Sequence, residues 1–197
     1  ITVVINTFHS EDKINECLDS IPSELKVLII ENSNNNKFKN DIEGRYPNTK
    51  CYLTGENLGY AKGNNLGLSK VRTKFVLTLN PDAKLEKETI NQFLISAEKV
   101  KDFSIIGPAK QNEYHHYNKN NLEEDLFQVD KLKGFAMFLN IEEFKDVGFF
   151  DENFFIYFEE IDLCKKVKMN EGKIILSKNI KINHEGFGSV DKNNKKE

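Results

Sequence analysis

The chain has 197 residues, 39% of them hydrophobic and 30% charged, with 15 Phe and no Trp. That length buries a real core, and the balance excludes a disordered chain. A formal charge of −3 gives no global attraction to nucleic acid, so phosphate binding must be local.

Ile1–Asn6, Lys26–Glu31 and Lys74–Leu79 are nearly continuous apolar runs, as expected of strands covered on both faces. Cys51–Leu53 is a shorter candidate. Ser10 is placed to cap a helix with Glu11 and Asp12 in its first turn and Ile14, Cys17, Leu18 and Ile21 on one face. Phe38 and Ile42, before the turn at Tyr46-Pro47, indicate a second helix; Ala61–Val71 and Lys87–Val100 supply two more. This alternation predicts a Rossmann-like α/β domain: a mostly parallel central sheet with helices on both faces. Ligands of such sheets bind beyond the carboxyl ends of the strands, where the strand order reverses. That singles out Thr7-Phe8-His9, Glu31-Asn32-Ser33 and Asn80-Pro81-Asp82.

The second half changes character. Asn112–Asn121 is polar and reads as a surface loop. Phe135–Asn140 is the next candidate strand, followed by a short helix, Ile141–Val147. Phe149, Phe150, Phe154, Phe155, Tyr157 and Phe158 form an aromatic patch around Asp151 and Glu152. A helix over Glu159–Asn170 and short strands at Ile174–Leu176 and Ile180–Ile182 complete the pattern. The reading is one domain over residues 1–190, divided near residue 110, with a polar tail over 191–197.

Cys17, Cys51 and Cys164 are far apart with no CxxC spacing, which argues against a disulfide framework or zinc site and for a reducing cytoplasm. No apolar run approaches the ~20 residues that cross a bilayer. Because the sequence opens directly in an apolar strand, no signal peptide is expected within it.

Four constellations carry candidate chemistry. Asn80-Pro81-Asp82 ends an apolar run, and Pro81 stops the strand by removing a donor. Asp82, projecting past the sheet, suits Mg2+ or Mn2+, hard cations that share oxygen ligands with phosphates; the bland alternative is a turn. Glu56–Gly67 spaces Gly59, Gly63 and Gly67 by four residues, with Asn57, Lys62 and Asn64 between or beside them. Backbone amides and a lysine at a helix start suit a diphosphate. The same spacing also suits a helix packed closely through its glycines. Glu159, Glu160 and Asp162 place three carboxylates in four residues. Aromatic walls could desolvate Glu160 towards general-base range, whereas acids at a helix N-terminus are ordinary. His184, between a strand and a Gly-rich loop through Ser189, could ligate metal or contact phosphate, although a lone histidine is more often a surface residue.

The order of these signals is more specific than any one of them. Through Glu56–Gly67, Leu79–Asp82, Gly134–Phe138, Val147–Leu163 and His184–Ser189, the chain resembles a family 2 glycosyltransferase of the GT-A fold, especially the rhamnosyltransferase-like bacterial branch. The resemblance implies a nucleotide-sugar-binding half over residues 1–110 and an acceptor-binding, catalytic half over 111–190. Thr7, Phe8, Glu31, Asn57, Gly59, Lys62, Asn64 and Asn80 are then the expected donor contacts. Asp82 and His184 are the expected ligands of Mg2+ or Mn2+. Asn80 stands where the family's metal motif begins with Asp. Glu160 falls at the general-base position, and Gly134, Phe135, Glu159 and Asp162 are expected at the acceptor. The donor would be a nucleoside-diphosphate sugar, dTDP-rhamnose or a UDP-sugar, and the acceptor a glycan or lipid-linked saccharide. Bacterial relatives extend surface polysaccharides at the cytoplasmic membrane face, so peripheral membrane contact belongs to the same expectation; Lys192, Lys195 and Lys196 also suit an anionic surface or a solvated tail. A nucleotidyltransferase is the rival enzyme class, but it would place a Gly-rich loop where Thr7-Phe8-His9-Ser10 stands. A non-catalytic sugar-nucleotide-binding subunit is the rival outside enzymes.

Overall fold

The computed structural model describes residues 1–109, 119–123 and 125–184. Residues 112–118 of the polar loop, the segment Glu185–Ser189 and the tail 191–197 lie outside the described residues. In chain order the first half comprises β1 (Thr2–Thr7), α1 (Ile14–Asp19), β2 (Lys26–Glu31), α2 (Asn36–Arg45), β3 (Thr49–Leu53), α3 (Gly59–Ser69), β4 (Phe75–Leu79), β5 (Ala83–Leu85), α4 (Thr89–Lys99) and β6 (Phe103–Pro108). The second half comprises β7 (Lys119–Glu123), β8 (Leu126–Val129), β9 (Ala136–Asn140), a 3-10 turn (Ile141–Phe144), α5 (Glu159–Met169), β10 (Lys173–Ser177) and β11 (Ile182–His184).

Nine strands form one sheet in the order β3-β2-β1-β4-β9-β6-β10-β8-β7. Only β8 and β9, among the described strands, run against the rest. The central strands alternate between two apolar layers. Val3, Ile5, Ile29 and Leu77 pack with residues of α1, α2 and α4, while Val4, Leu28 and Val76 pack with residues of α3 and α5. Both faces are covered, which is why these strands read as unbroken apolar runs rather than alternating ones. The order reverses between β1 and β4, because β1 leads outward through β2 and β3 before the chain returns to β4. The crevice at that reversal is lined by the residues just beyond Thr7, Glu31 and Leu79.

Several expectations need correction. Ser10 does not cap a helix with its side chain: its carbonyl accepts from Lys13 and Ile14 in a turn, its hydroxyl donates to the Phe8 carbonyl, and α1 begins four residues later. The strand expected at Ile180–Ile182 lies instead at Ile182–His184 and pairs antiparallel with β5 outside the main sheet. The end of the polar loop is a strand, β7. The helix expected over Ile141–Val147 is a single 3-10 turn. The expected set of strands also lacks β5, β6 and β8.

Candidate active site

The two-stranded β5–β11 sheet pairs His184 with Ala83, which carries the imidazole beside Asp82. His184 Nε2 lies 3.2 Å from Asp82 Oδ1, with side chains 12% and 8% exposed. The turn that presents Asp82 is closed by Ala83 N donating to the Asn80 carbonyl at 3.1 Å. Turn geometry and site therefore coexist at Asn80-Pro81-Asp82. Burial raises the Asp82 pKa, but hydrogen bonding and charge from His184 outweigh it and hold the carboxyl below its ordinary value. The His184 ring stacks on Phe135, with centroids 4.4 Å apart and planes at 6°. Its Nδ1 is buried without a hydrogen-bond partner among the described residues.

Phe135 and the residue before it tie this pair to the acidic helix. The Phe135 carbonyl accepts from Asn80 N at 2.8 Å. Gly134 lies against Glu160: a Cβ built there would sit 3.2 Å from Glu160 Cβ and 3.5 Å from Tyr60 Oη. Tyr60 Oη donates to the Gly134 carbonyl at 2.6 Å. Burial drives the Tyr60 phenol far above its usual pKa, and the charges of Glu159 and Glu160 add to the shift. Tyr60 therefore stays protonated and remains a donor. Asp82, His184 and Glu160 thus meet around Gly134-Phe135, and no sequence feature had singled out Tyr60.

The acidic turn differs from expectation in which carboxylate is desolvated. Glu159, not Glu160, is buried, at 5% exposure. Burial, reinforced by the charge of Glu160, pushes its pKa up to about 7 against an opposing backbone hydrogen bond. Glu159 Oε2 and Asp162 Oδ2 are both sealed without hydrogen-bond partners among the described residues. Glu159 as placed is covered by protein and does not present an acceptor surface, and one Asp162 oxygen is equally enclosed. Phe135 is likewise buried, so its ring supports His184 instead of meeting an acceptor. The aromatic patch is not a wall around Glu160, since Phe155, Tyr157 and Phe158 are 55%, 57% and 66% exposed. Tyr157 and Phe158 enter α5 with φ of +69° and +70°, a backbone that bulky residues rarely adopt.

On the donor side the glycines serve packing. A Cβ on Gly63 would lie 2.2 Å from Asn6 Oδ1, and one on Gly67 would lie 2.4 Å from Val4 Cγ1. These contacts seat α3 directly on β1. Gly59 adopts φ +77°, and a Cβ there would meet the Phe155 carbonyl at 2.3 Å. Its own carbonyl accepts from Asn6 and Asn32. Asn64 is buried and donates to the Tyr60 carbonyl, while Asn57 Oδ1 accepts from Gly59 N. Asn57, Gly59 and Asn64 are therefore occupied in building the helix start. Asn64 in particular points into the protein and is unplaced for a donor. Lys62 is exposed. At the ends of β1 and β2, Thr7 and Glu31 are buried. Glu31 Oε2 accepts from Ser33 Oγ at 2.7 Å. Phe8 is exposed and lies against His9. Thr7 Oγ1 and Asn32 Oδ1 are buried without hydrogen-bond partners among the described residues. Asn6 and Asn32, which link the two strands to α3, were signalled in the sequence only as polar residues ending apolar runs.

The fit of a divalent cation rests on the donor set. A separation of 3.2 Å between Asp82 and His184 matches two neighbouring ligands of a hard cation with bonds of about 2.1 Å. No group of three such side chains exists among the described residues, so phosphate oxygens and water would complete the shell, as is usual for Mg2+.

The glycosyl transferase family 2 model matches residues 2–164. The hexosyltransferase Agl10 of Haloferax volcanii, of low-salt glycan biosynthesis, is 26% identical over 85% of this chain and 61% of its own length. Rhamnosyltransferase WbbL of Escherichia coli is 21% identical over 86% of this chain and 77% of its own. The N-acetylglucosaminyl-diphospho-decaprenol L-rhamnosyltransferase of Mycobacterium tuberculosis is 24% identical over 71% and 59%. The chain thus spans about three fifths of the length of two of these relatives. Among solved structures, GalNAc-T7 with UDP, GalNAc and Mn2+ superposes with a TM-score of 0.79 at 13% identity, over 93% of this chain and 42% of that one. TarS of S. aureus superposes with 0.71 at 19% identity, over 90% and 58%. The fold is GT-A, and since the matched segment covers the reversal crevice and the acidic turn of α5 alike, the chain belongs to glycosyl transferase family 2.

Proposed function

We propose that this chain transfers a sugar from a nucleoside-diphosphate sugar to a hydroxyl of a glycan or lipid-linked saccharide, with Glu160 as general base. The observation that carries this reading is the meeting of Asp82, His184 and Glu160 around Gly134-Phe135. Relatives named as rhamnosyltransferases, one acting on a diphospho-decaprenol, support dTDP-rhamnose or a UDP-sugar as donor and a lipid-linked acceptor. Neighbours solved with UDP-GlcNAc, or with GDP-Man and Mn2+, support a nucleotide donor and a divalent cation.

Asp82 and His184 would hold Mg2+ or Mn2+. When bound, that cation supplies positive charge opposite the leaving diphosphate. Phe8, exposed at the end of β1, would meet the nucleoside, while Thr7 and Glu31, both buried, would hold the strand ends in place rather than touch it. Glu160 takes the proton from the acceptor hydroxyl as its oxygen attacks the anomeric carbon. Attack opposite the leaving group inverts that centre. Tyr60 fixes the Gly134 carbonyl and so keeps the backbone beside Glu160 in place.

The test is a panel of nucleotide sugars, scored by thermal stabilisation and by hydrolysis with and without Mn2+. Glu160→Gln is expected to keep donor-induced stabilisation and lose about a hundredfold or more in transfer. Undiminished transfer would remove Glu160 from the base role. Indifference to every nucleotide sugar would remove the whole reading.

A further inference from the structure

We propose that the outer face of α5, together with the aromatic stretch before it, docks this protein onto an anionic bilayer. The inference deepens the reading of a lipid-linked acceptor and rests on it. Phe155, Ile156, Tyr157 and Phe158 are four consecutive exposed large side chains. Ile161 and Met169 continue the exposure along the helix. Single exposed apolar residues are normal, but a contiguous patch marks a contact surface. Tyr157 and Phe158 hold positive φ with side chains more than half exposed. Strain carried by exposed rings points to a role outside the fold.

Charge selects the occupant. A groove of about 400 Å³ runs beside the patch, lined by Asp130, Lys131, Ile161, Lys165, Lys168 and Met169. Ile161, Lys165 and Met169 recur at intervals of four, so they form one stripe of the helix. The acid in the groove, Asp130, is paired with Lys168, which leaves the groove cationic through Lys131 and Lys165. Aromatic and aliphatic tips flanked by lysines match a bilayer interface: rings sit at headgroup depth, and lysines meet anionic lipid. A purely apolar protein partner would not need the lysines. Glu159 and Glu160 stand between the aromatic stretch and Ile161, so a surface held there brings Glu160 to the level of a lipid-borne diphosphate sugar.

The experiment is cosedimentation with vesicles of phosphatidylcholine alone or mixed with phosphatidylglycerol. Binding is expected only with the anionic lipid and should weaken with salt. The Phe158→Ser/Lys165→Glu double variant should bind about tenfold more weakly or less still. Circular dichroism and donor-induced thermal stabilisation, which use neither residue, should be unchanged. Absence of wild-type binding, or equal binding by the double variant, overturns the proposal. So does a wild-type dimer that the double variant converts to monomer, because a second copy would then cover the patch. Failed vesicle binding with intact donor stabilisation refutes docking alone. Failed donor stabilisation of the wild type refutes the transferase reading whatever the vesicles show.

Discussion

Glu159 and Asp82 sit on opposite sides of the same question, namely what a buried carboxyl does to stability as pH changes. Glu159 has a folded pKa of about 7 against an ordinary value of 4.5, so the native state holds its proton more tightly than the unfolded chain. Stability from this group is greatest below the unfolded value and falls as pH rises towards 7. Glu159→Gln should therefore gain on the wild type by up to about 3 kcal/mol near pH 8, with the gain vanishing near pH 4. Thermal unfolding of both proteins across that range measures it; a constant difference would mean Glu159 does not titrate within the range. Asp82 has the opposite sign. Its folded pKa is lowered, so its contribution is present above its unfolded value and is lost on acidification. Asp82→Asn should abolish the Mn2+-dependent part of nucleoside-diphosphate stabilisation, read by the same melting experiment. A full Mn2+ response in that variant would move the cation elsewhere. Asp82 was legible in the sequence because a carboxylate just past an apolar run has few places to go. Which of two adjacent glutamates is buried was not legible, because that depends on the azimuth at which α5 meets Gly134 and Tyr60.

Elements show where spacing was readable and where its purpose was not. The four-residue glycine repeat of α3 is plain in the sequence and suits a phosphate loop as well as a packed helix. The structure uses it for packing against Asn6 and Val4. Gly59→Ala, with φ +77° and a backbone oxygen at 2.3 Å, should cost about 2–4 kcal/mol. Gly55→Ala, with φ +81° and nothing within 4 Å, should cost about 1–2 kcal/mol. Urea unfolding of the two variants separates close approach from backbone strain, and equal losses would deny the contact with Phe155. β5 escaped the sequence reading and β11 was expected two residues too early, because each is three residues long and mixed in polarity. Their pairing joins segments almost a hundred residues apart, and no local pattern announces it. β6 is different: Phe103, Ile105 and Ile106 form a readable apolar run, although it was not among the expected strands.

For the whole molecule, the parallel βαβ plan, the two covered faces and the crevice at the strand reversal could be read from the apolar runs and the helices between them. The completion of the sheet could not. β9 comes from the second half of the chain, yet lies antiparallel between β4 and β6 of the first. A fragment of residues 1–110 should therefore lack cooperative urea unfolding and should bind a hydrophobic dye, since β4 and β6 would each present an unpaired edge. A sharp two-state transition in that fragment would refute this.

During synthesis the same arrangement imposes a delay. The ribosome finishes every strand of the first half before the one that joins them leaves the exit tunnel. Until then two adhesive borders face solvent, and a chaperone or slow local collapse must keep neighbouring nascent chains apart. Ala136–Asn140 therefore closes the first gap, and the far border of β6 stays open until Lys173–Ser177 follows.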